Sequence, residues 1–174
     1  GGRRERKNET ESQGESQGEM IIGLDLGENF GIAVGNGGVP DCEVVALPGE
    51  PGAMALRVEG RLRSFFREMR PTTVAYEDPF PALSDKWRQR GQAHLKKHLL
   101  TQFGQKLLIE KVCHAEYGLK PRAIPVNTAR LAVVGKGYPS EDEILAAVRK
   151  RGVVCSSHHA ADAAVIYFAT MRLG

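Results

Sequence analysis

Residues 21–35, IIGLDLGENFGIAVG, set a carboxylate, Asp25, between Leu24 and Leu26 inside an apolar run and then turn almost at once into a second apolar run. A third follows in CEVVALP, after a Gly- and Pro-containing break. The three runs predict successive antiparallel strands, a meander that opens the fold. An aspartate often marks a turn, but this one lies within the strand itself. Burying its charge without compensation would cost roughly several kcal/mol. Asp25 is therefore a candidate ligand or catalytic group.

Working outward, residues 53–70, AMALRVEGRLRSFFREMR, carry Met54, Leu56, Val58, Leu62, Phe65, Phe66 and Met69 at mostly helical spacing, and Pro71 ends that helix. TTVAYEDPF supplies a fourth strand that closes on Glu77 and Asp78. Residues 85–117 read as a long helix with Leu95, Leu99, Phe103, Leu107 and Leu108 as its apolar stripe and Gly104 as a point of interruption. PRAIPV is a fifth strand and NTARLAVV a short helix. SEDEILAAVRKRG is a helix with Ser140 as N-cap and Glu143 three residues on, and SSHHAADAAVIYFATMRL is the last helix. The expected fold is α/β, a five-stranded mixed sheet flanked by helices, with its first three strands antiparallel.

The chain has 174 residues, 41% hydrophobic and 26% charged, enough for one globular domain with a proper core. Residues 1–19 contain no aliphatic or aromatic side chain and are expected to form a disordered tail, with the domain over 20–174. A net charge of +3 and a pI near 8.8 say little about a nucleic-acid partner, which must be argued from where the charges cluster. Cys42, Cys113 and Cys155 lie far apart without a CxxC pair, which favours free thiols and argues against a structural zinc site. No run approaches a membrane span, and the N-terminus lacks a secretory segment. A cytoplasmic, nucleoid-associated location is the expectation.

Three acidic residues fall at element ends where side chains can converge: Asp25 on the first strand, Glu77 on the fourth, and Asp162 in the first turns of the last helix. His159, three residues before Asp162, shares its helical face. Hard oxygen donors of this kind suit Mg²⁺ or Mn²⁺, and two such ions about 3.5–4 Å apart can activate a water and stabilise the leaving oxygen of a phosphodiester. Each residue alone has an ordinary explanation; together they point to nuclease chemistry. The densest basic cluster, Lys86, Arg88, Arg90, Lys96 and Lys97, follows directly after Glu77 and is the candidate phosphate-binding surface. Arg149, Lys150 and Arg151 are better explained as charges complementing a helix C-terminus.

Taken in order, these segments resemble the RuvC family of Holliday-junction resolvases, within the RNase H-like nuclease superfamily, over residues 20–172. IIGLDLGENFGIAV is similar to the family's first motif and VAYEDPF to its second. VVGKGYPSEDEILAAVRKRG is similar to its Gly-x-Gly loop and helix, and HHAADAAVIYFA to its closing motif. The resemblance implies an RNase H-like fold, a homodimer, and metal-dependent nicking of opposed strands in a four-way DNA junction. Asp25, Glu77, His159 and Asp162 would then be the metal-binding catalytic set, with Phe80 the aromatic that stacks on an unpaired base. Glu141, Asp142 and Glu143 stand where the family often has a lysine, which leaves Arg130 or Lys136 as the basic group near the site. Residues 85–117 are the candidate dimer interface. A single-lobed nucleotide-binding domain of the actin and Hsp70 type, a YqgF-like nuclease acting on RNA precursors, and a catalytically idle junction-binding module are the competing readings.

Overall fold

The computed structural model describes residues 18–78 and 91–174. Strands β1 (Ile21–Asp25), β2 (Asn29–Gly35) and β3 (Asp41–Ala46) form the antiparallel meander. Helix α1 (Pro51–Met69) crosses over to β4 (Thr73–Glu77), which pairs parallel with β1. The long helix α2 (Gln92–Tyr117) leads to β5 (Arg122–Ile124), parallel to β4. Helices α3 (Val126–Val134), α4 (Glu141–Arg149) and α5 (His158–Arg172) follow. The sheet order is β3-β2-β1-β4-β5, the five-stranded mixed sheet expected from the sequence.

Period-two alternation sorts the strands onto two cores. Ile22, Leu24, Phe30, Ile32, Val34, Val74 and Tyr76 pack with α1 and α2. Ile21, Ala33, Ala75 and Ile124 pack with α3, α4 and α5. Helix ends follow local chemistry. Ser140 accepts from the Glu143 amide while the Glu143 carboxylate accepts from the Ser140 amide, the reciprocal cap that its sequence announces. Gly118 (φ 62°) and Gly135 (φ 88°) close α2 and α3 in the left-handed region. Arg149 and Arg151 donate to carbonyls rather than only facing the helix dipole: Arg149 to Cys155, Arg151 to Ala147 and to Val133 at the end of α3.

Helix α2 departs from its sequence reading in two ways, and the predicted start at residue 85 lies outside the described residues. It runs unbroken through Gly104, where an added Cβ would meet open space, so the glycine costs only the roughly 1 kcal/mol of its poor helix propensity. Its buried face is also not the leucine stripe. Thr101, Gln102, Gln105, Ile109, Val112 and Cys113 are buried, while Leu107 is 67% exposed and Leu99 and Leu108 are half-buried. Among the described residues no helix is long and apolar enough to cross a membrane.

Candidate active site

Because β1 and β4 are parallel neighbours, with Leu24 opposite Tyr76, their last residues Asp25 and Glu77 emerge side by side at one edge of the sheet. Alternation turns both toward α5: Gly23 and Ala75, two residues earlier, lie on that face. Glycine decides how near the helix comes. A Cβ at Gly23 would fall 2.6 Å from the Tyr167 amide nitrogen and 2.7 Å from the Ala163 carbonyl. At Gly31, the cross-strand partner of Asp25, it would fall 2.4 Å from the His159 carbonyl. Helix α5 answers with buried Ala160, Ala161, Ala163 and Ala164. The far end is fixed as well, since the Tyr167 hydroxyl accepts from the Gly37 amide and donates to the Gly38 carbonyl.

This close approach delivers the first turns of α5 to the carboxylates. Ser157 caps the helix by accepting from the His159 amide. The His159 ring lies with Nδ1 3.2 Å from Asp25 Oδ2 and Nε2 3.4 Å from the Asn29 amide nitrogen. An Asn29 amide nitrogen donating to Nε2 goes with the tautomer whose Nδ1–H donates to Asp25. Asp162 Oδ1 accepts from Arg130 Nη2 at 3.2 Å, joining α3 to the site. The buried Arg130 Nε has no hydrogen-bond partner among the described residues. His158 packs its ring 4.5 Å from that of His159 and meets Glu141 at 3.6 Å.

The electrostatics are those of too much negative charge in a small dry space. Asp25 is only 5% exposed, and burial, followed by the Asp162 charge, raises its pKa from 3.8 to about 8 against the pull of a hydrogen bond with Glu77 and of Arg130. Glu77 is pushed well above the usual carboxylate range by burial and then by Asp25. Asp162 is raised by burial, with Arg130 opposing. Burial and the Asp162 charge push the Asp25 and Glu77 carboxyls in the same direction, toward holding a proton. Among the described residues, Arg130 is the permanent cation that acts on all three carboxylates. A hard, divalent cation fits this donor set of oxygens and one imidazole nitrogen. Among the described residues no three His, Cys, Asp or Glu side chains stand as a preformed metal cluster.

Two residues near the site carried no signal in the sequence reading. The Gln105 amide accepts from the Gly27 N–H at 2.9 Å and donates to the Gly27 carbonyl at 2.8 Å, while Gln102 donates to the Leu26 carbonyl at 3.3 Å. A glutamine within a basic helix reads as solvated; only its spacing with Ile109 and Cys113, one buried face, could have marked it.

The predicted DNA-binding residues divide. Phe80, Lys86, Arg88 and Arg90 lie outside the described residues. Lys97 pairs with Glu28 at 3.1 Å, just beyond Asp25, and Lys96 on the same helix is exposed. Of the two candidates for a basic group near the site, Arg130 touches Asp162, whereas Lys136 pairs with Glu143 at the start of α4.

An open five-stranded sheet in this order, with helices on both faces and acidic residues closing its two central parallel strands, is an RNase H-like fold. No family model matches the chain, and none of the curated proteins does. Solved structures do. The chain is similar to Thermus thermophilus RuvC (TM-score 0.63, 22% identity, covering 89% of this chain and 96% of that one). It is likewise similar to T. thermophilus RuvC in complex with Holliday junction substrate (TM-score 0.63, 21% identity, covering 90% and 96%). The yeast mitochondrial Holliday junction resolvase Ydc2 is similar at TM-score 0.61 and 13% identity, covering 88% of this chain and 78% of Ydc2.

Proposed function

We propose that this chain is a divalent-metal-dependent endodeoxyribonuclease that resolves four-way DNA junctions, and other branched DNA, by phosphodiester hydrolysis. The observation that carries the reading is the convergence of Asp25, Glu77, His159 and Asp162 at the ends of β1 and β4, in a fold shared with RuvC bound to a Holliday junction and with a yeast Holliday-junction resolvase. Asp25, Glu77, Asp162 and the His159 imidazole would hold two Mg²⁺ or Mn²⁺ ions, which supply an activated water and stabilise the leaving oxygen when bound. The chain's own residues prepare for this. Glycine-permitted contact fixes His159 and Asp162 over the strand ends, Arg130 orients Asp162, and Asn29 holds the imidazole tautomer.

In this reading the nuclease domain spans 20–174 and acts in a DNA-containing cytoplasm. Lys86, Arg88, Arg90, Lys96 and Lys97 take junction phosphates, Phe80 stacks on an unpaired base, Arg130 stands nearest the cleaved strand, and Lys136 adds positive charge farther out, beside Glu143. Two active sites facing opposed strands call for an isologous homodimer. The exposed leucines of α2, Leu100 at 52% and Leu107 at 67%, are the surface we assign to it.

The test is a synthetic four-way junction with Mg²⁺ beside flap, fork and linear duplex controls. The expected products carry 5′-phosphate and 3′-hydroxyl ends, and Asp25→Asn binds the junction without cutting it. Equal cutting by Asp25→Asn and wild type overturns the assignment.

A further inference from the structure

The turn that follows Asp25 is gripped by α2 from one side over nine residues of helix, Lys97 to Gln105. Lys97 pairs with Glu28, Gln102 bonds the Leu26 carbonyl, and Gln105 bonds both the N–H and the C=O of Gly27. Gln105 is 0% exposed, and the buried Gln102 Oε1 has no hydrogen-bond partner among the described residues. Elsewhere the same helix face is filled in the ordinary way, by Ile109, Val112 and Cys113. An aliphatic residue at 102 or 105 would fill the space equally well but would leave the turn's backbone groups unpaired. Two buried amides are thus committed to the two residues directly beyond Asp25, and Lys97 takes the third.

Asp25 needs such restraint. Its carboxylate lies at the last residue of β1, where the chain leaves the ladder for the turn, so play in the turn moves it relative to Glu77 and Asp162. The β1–β2 ladder holds its backbone through Gly31, and His159 Nδ1 meets its carboxylate at 3.2 Å; α2 supplies a second backbone hold, on the turn beyond it. The helix that supplies the second hold also carries Lys96 and Lys97 one to two turns nearer its start.

We propose that Gln105, assisted by Gln102, is a positioning residue that locks Asp25 in place and ties it to the DNA-facing helix. This rests on the nuclease reading for its catalytic consequence, though not for its structural one. Gln105 touches no reacting atom; it acts through Gly27.

The comparison uses the full chain with Gln105→Leu, which removes both bonds, and Gln105→Glu, which keeps the acceptor and loses the donor. Single-turnover cleavage of a four-way junction in Mg²⁺ is expected to fall about 30-fold in Gln105→Leu and about 5-fold in Gln105→Glu, the scale of a sub-ångström misplacement. Junction affinity in Ca²⁺ stays within about twofold, because the phosphate contacts are untouched. The carbon resonance of the Asp25 carboxylate, recorded without DNA or metal, shifts in both variants, and amide exchange at Gly27 quickens about tenfold or more while Ile22 and Ile32 are unchanged. An unmoved Asp25 resonance overturns the proposal, as does a wild-type cleavage rate in Gln105→Leu. Equal losses of affinity and rate would make Gln105 part of the DNA surface instead, which also overturns it. If the wild type leaves every branched substrate intact, the nuclease reading fails, and the Asp25 resonance alone decides the clamp. Should Gln105→Leu not fold, Gln102→Met carries the same comparison at a smaller expected loss, about threefold.

Discussion

Toward α1 and α2 the sheet presents Ile22, Leu24, Ile32, Val74 and Tyr76, whereas toward α5 it presents Gly23, Gly31, Ala33 and Ala75. The first face buries large apolar side chains and holds its helices at the distance those side chains dictate. The second gives up that apolar area for backbone contact, and its helix comes so close that His159 and Asp162 reach the ends of β1 and β4. One face is built for cohesion and the other for proximity. The difference teaches that the site is a product of how α5 is seated as much as of the acids themselves.

The sharpest way to break this contrast is to remove what the close face serves. Asp25→Asn is expected to lower junction cleavage by about 10³-fold or more, with binding unchanged, as measured by single-turnover kinetics beside a gel-shift assay. Next comes the seating itself. Gly31→Ala must displace the His159 backbone and is expected to lower cleavage about 100-fold while costing roughly 1–3 kcal/mol of stability. On the opposite face Ile32→Val should cost roughly 1 kcal/mol in a denaturant titration and leave the rate alone. If both variants slow cleavage equally, the two faces do not differ in the way described.

A pH series sharpens the electrostatic side. The folded Asp25 keeps to about pH 8 a proton that the unfolded chain releases near 3.8, so between these values the native state binds more protons and stability falls as pH rises. Without divalent ions, thermal unfolding is therefore expected to show Asp25→Asn more stable than wild type at pH 8, by several degrees, roughly, and no more stable at pH 4. Divalent ions should reverse the order at pH 8 by binding the wild type alone. The smallest effect is expected at Lys136→Ala, which removes an exposed pair with Glu143 and should change stability by less than about 1 kcal/mol and cleavage by about twofold at most.

The architecture was largely legible because its signals are local: alternating runs for the meander, Pro71 after α1, the Ser140–Glu143 cap, and acids closing apolar runs at Asp25 and Glu77. Asp162 and His159 could be paired on one helical face from spacing alone. What could not be read was set by tertiary contact. The leucines of α2 suggested one face, but burial followed the glutamines, since an unpaired peptide group at Leu26 and Gly27 is costlier than an exposed leucine. Arg130 and Lys136 looked equivalent until the fold paired one with Asp162 and the other with Glu143. Gly23 and Gly31 gave no sign of their purpose, because a close approach shows only when the second element is in place.

The pairing of Leu24 with Tyr76 and of Asp25 with Gly31 has a consequence for how this segment tolerates length changes. Inserting or deleting a single residue between Met20 and Leu24 would rotate the frame of β1 by half a pleat and drive a carboxylate into the aliphatic layer under α1, while a leucine took its place among the acids. Substitutions along this strand can be graded in severity, but such indels cannot: they invert inside and outside at one stroke.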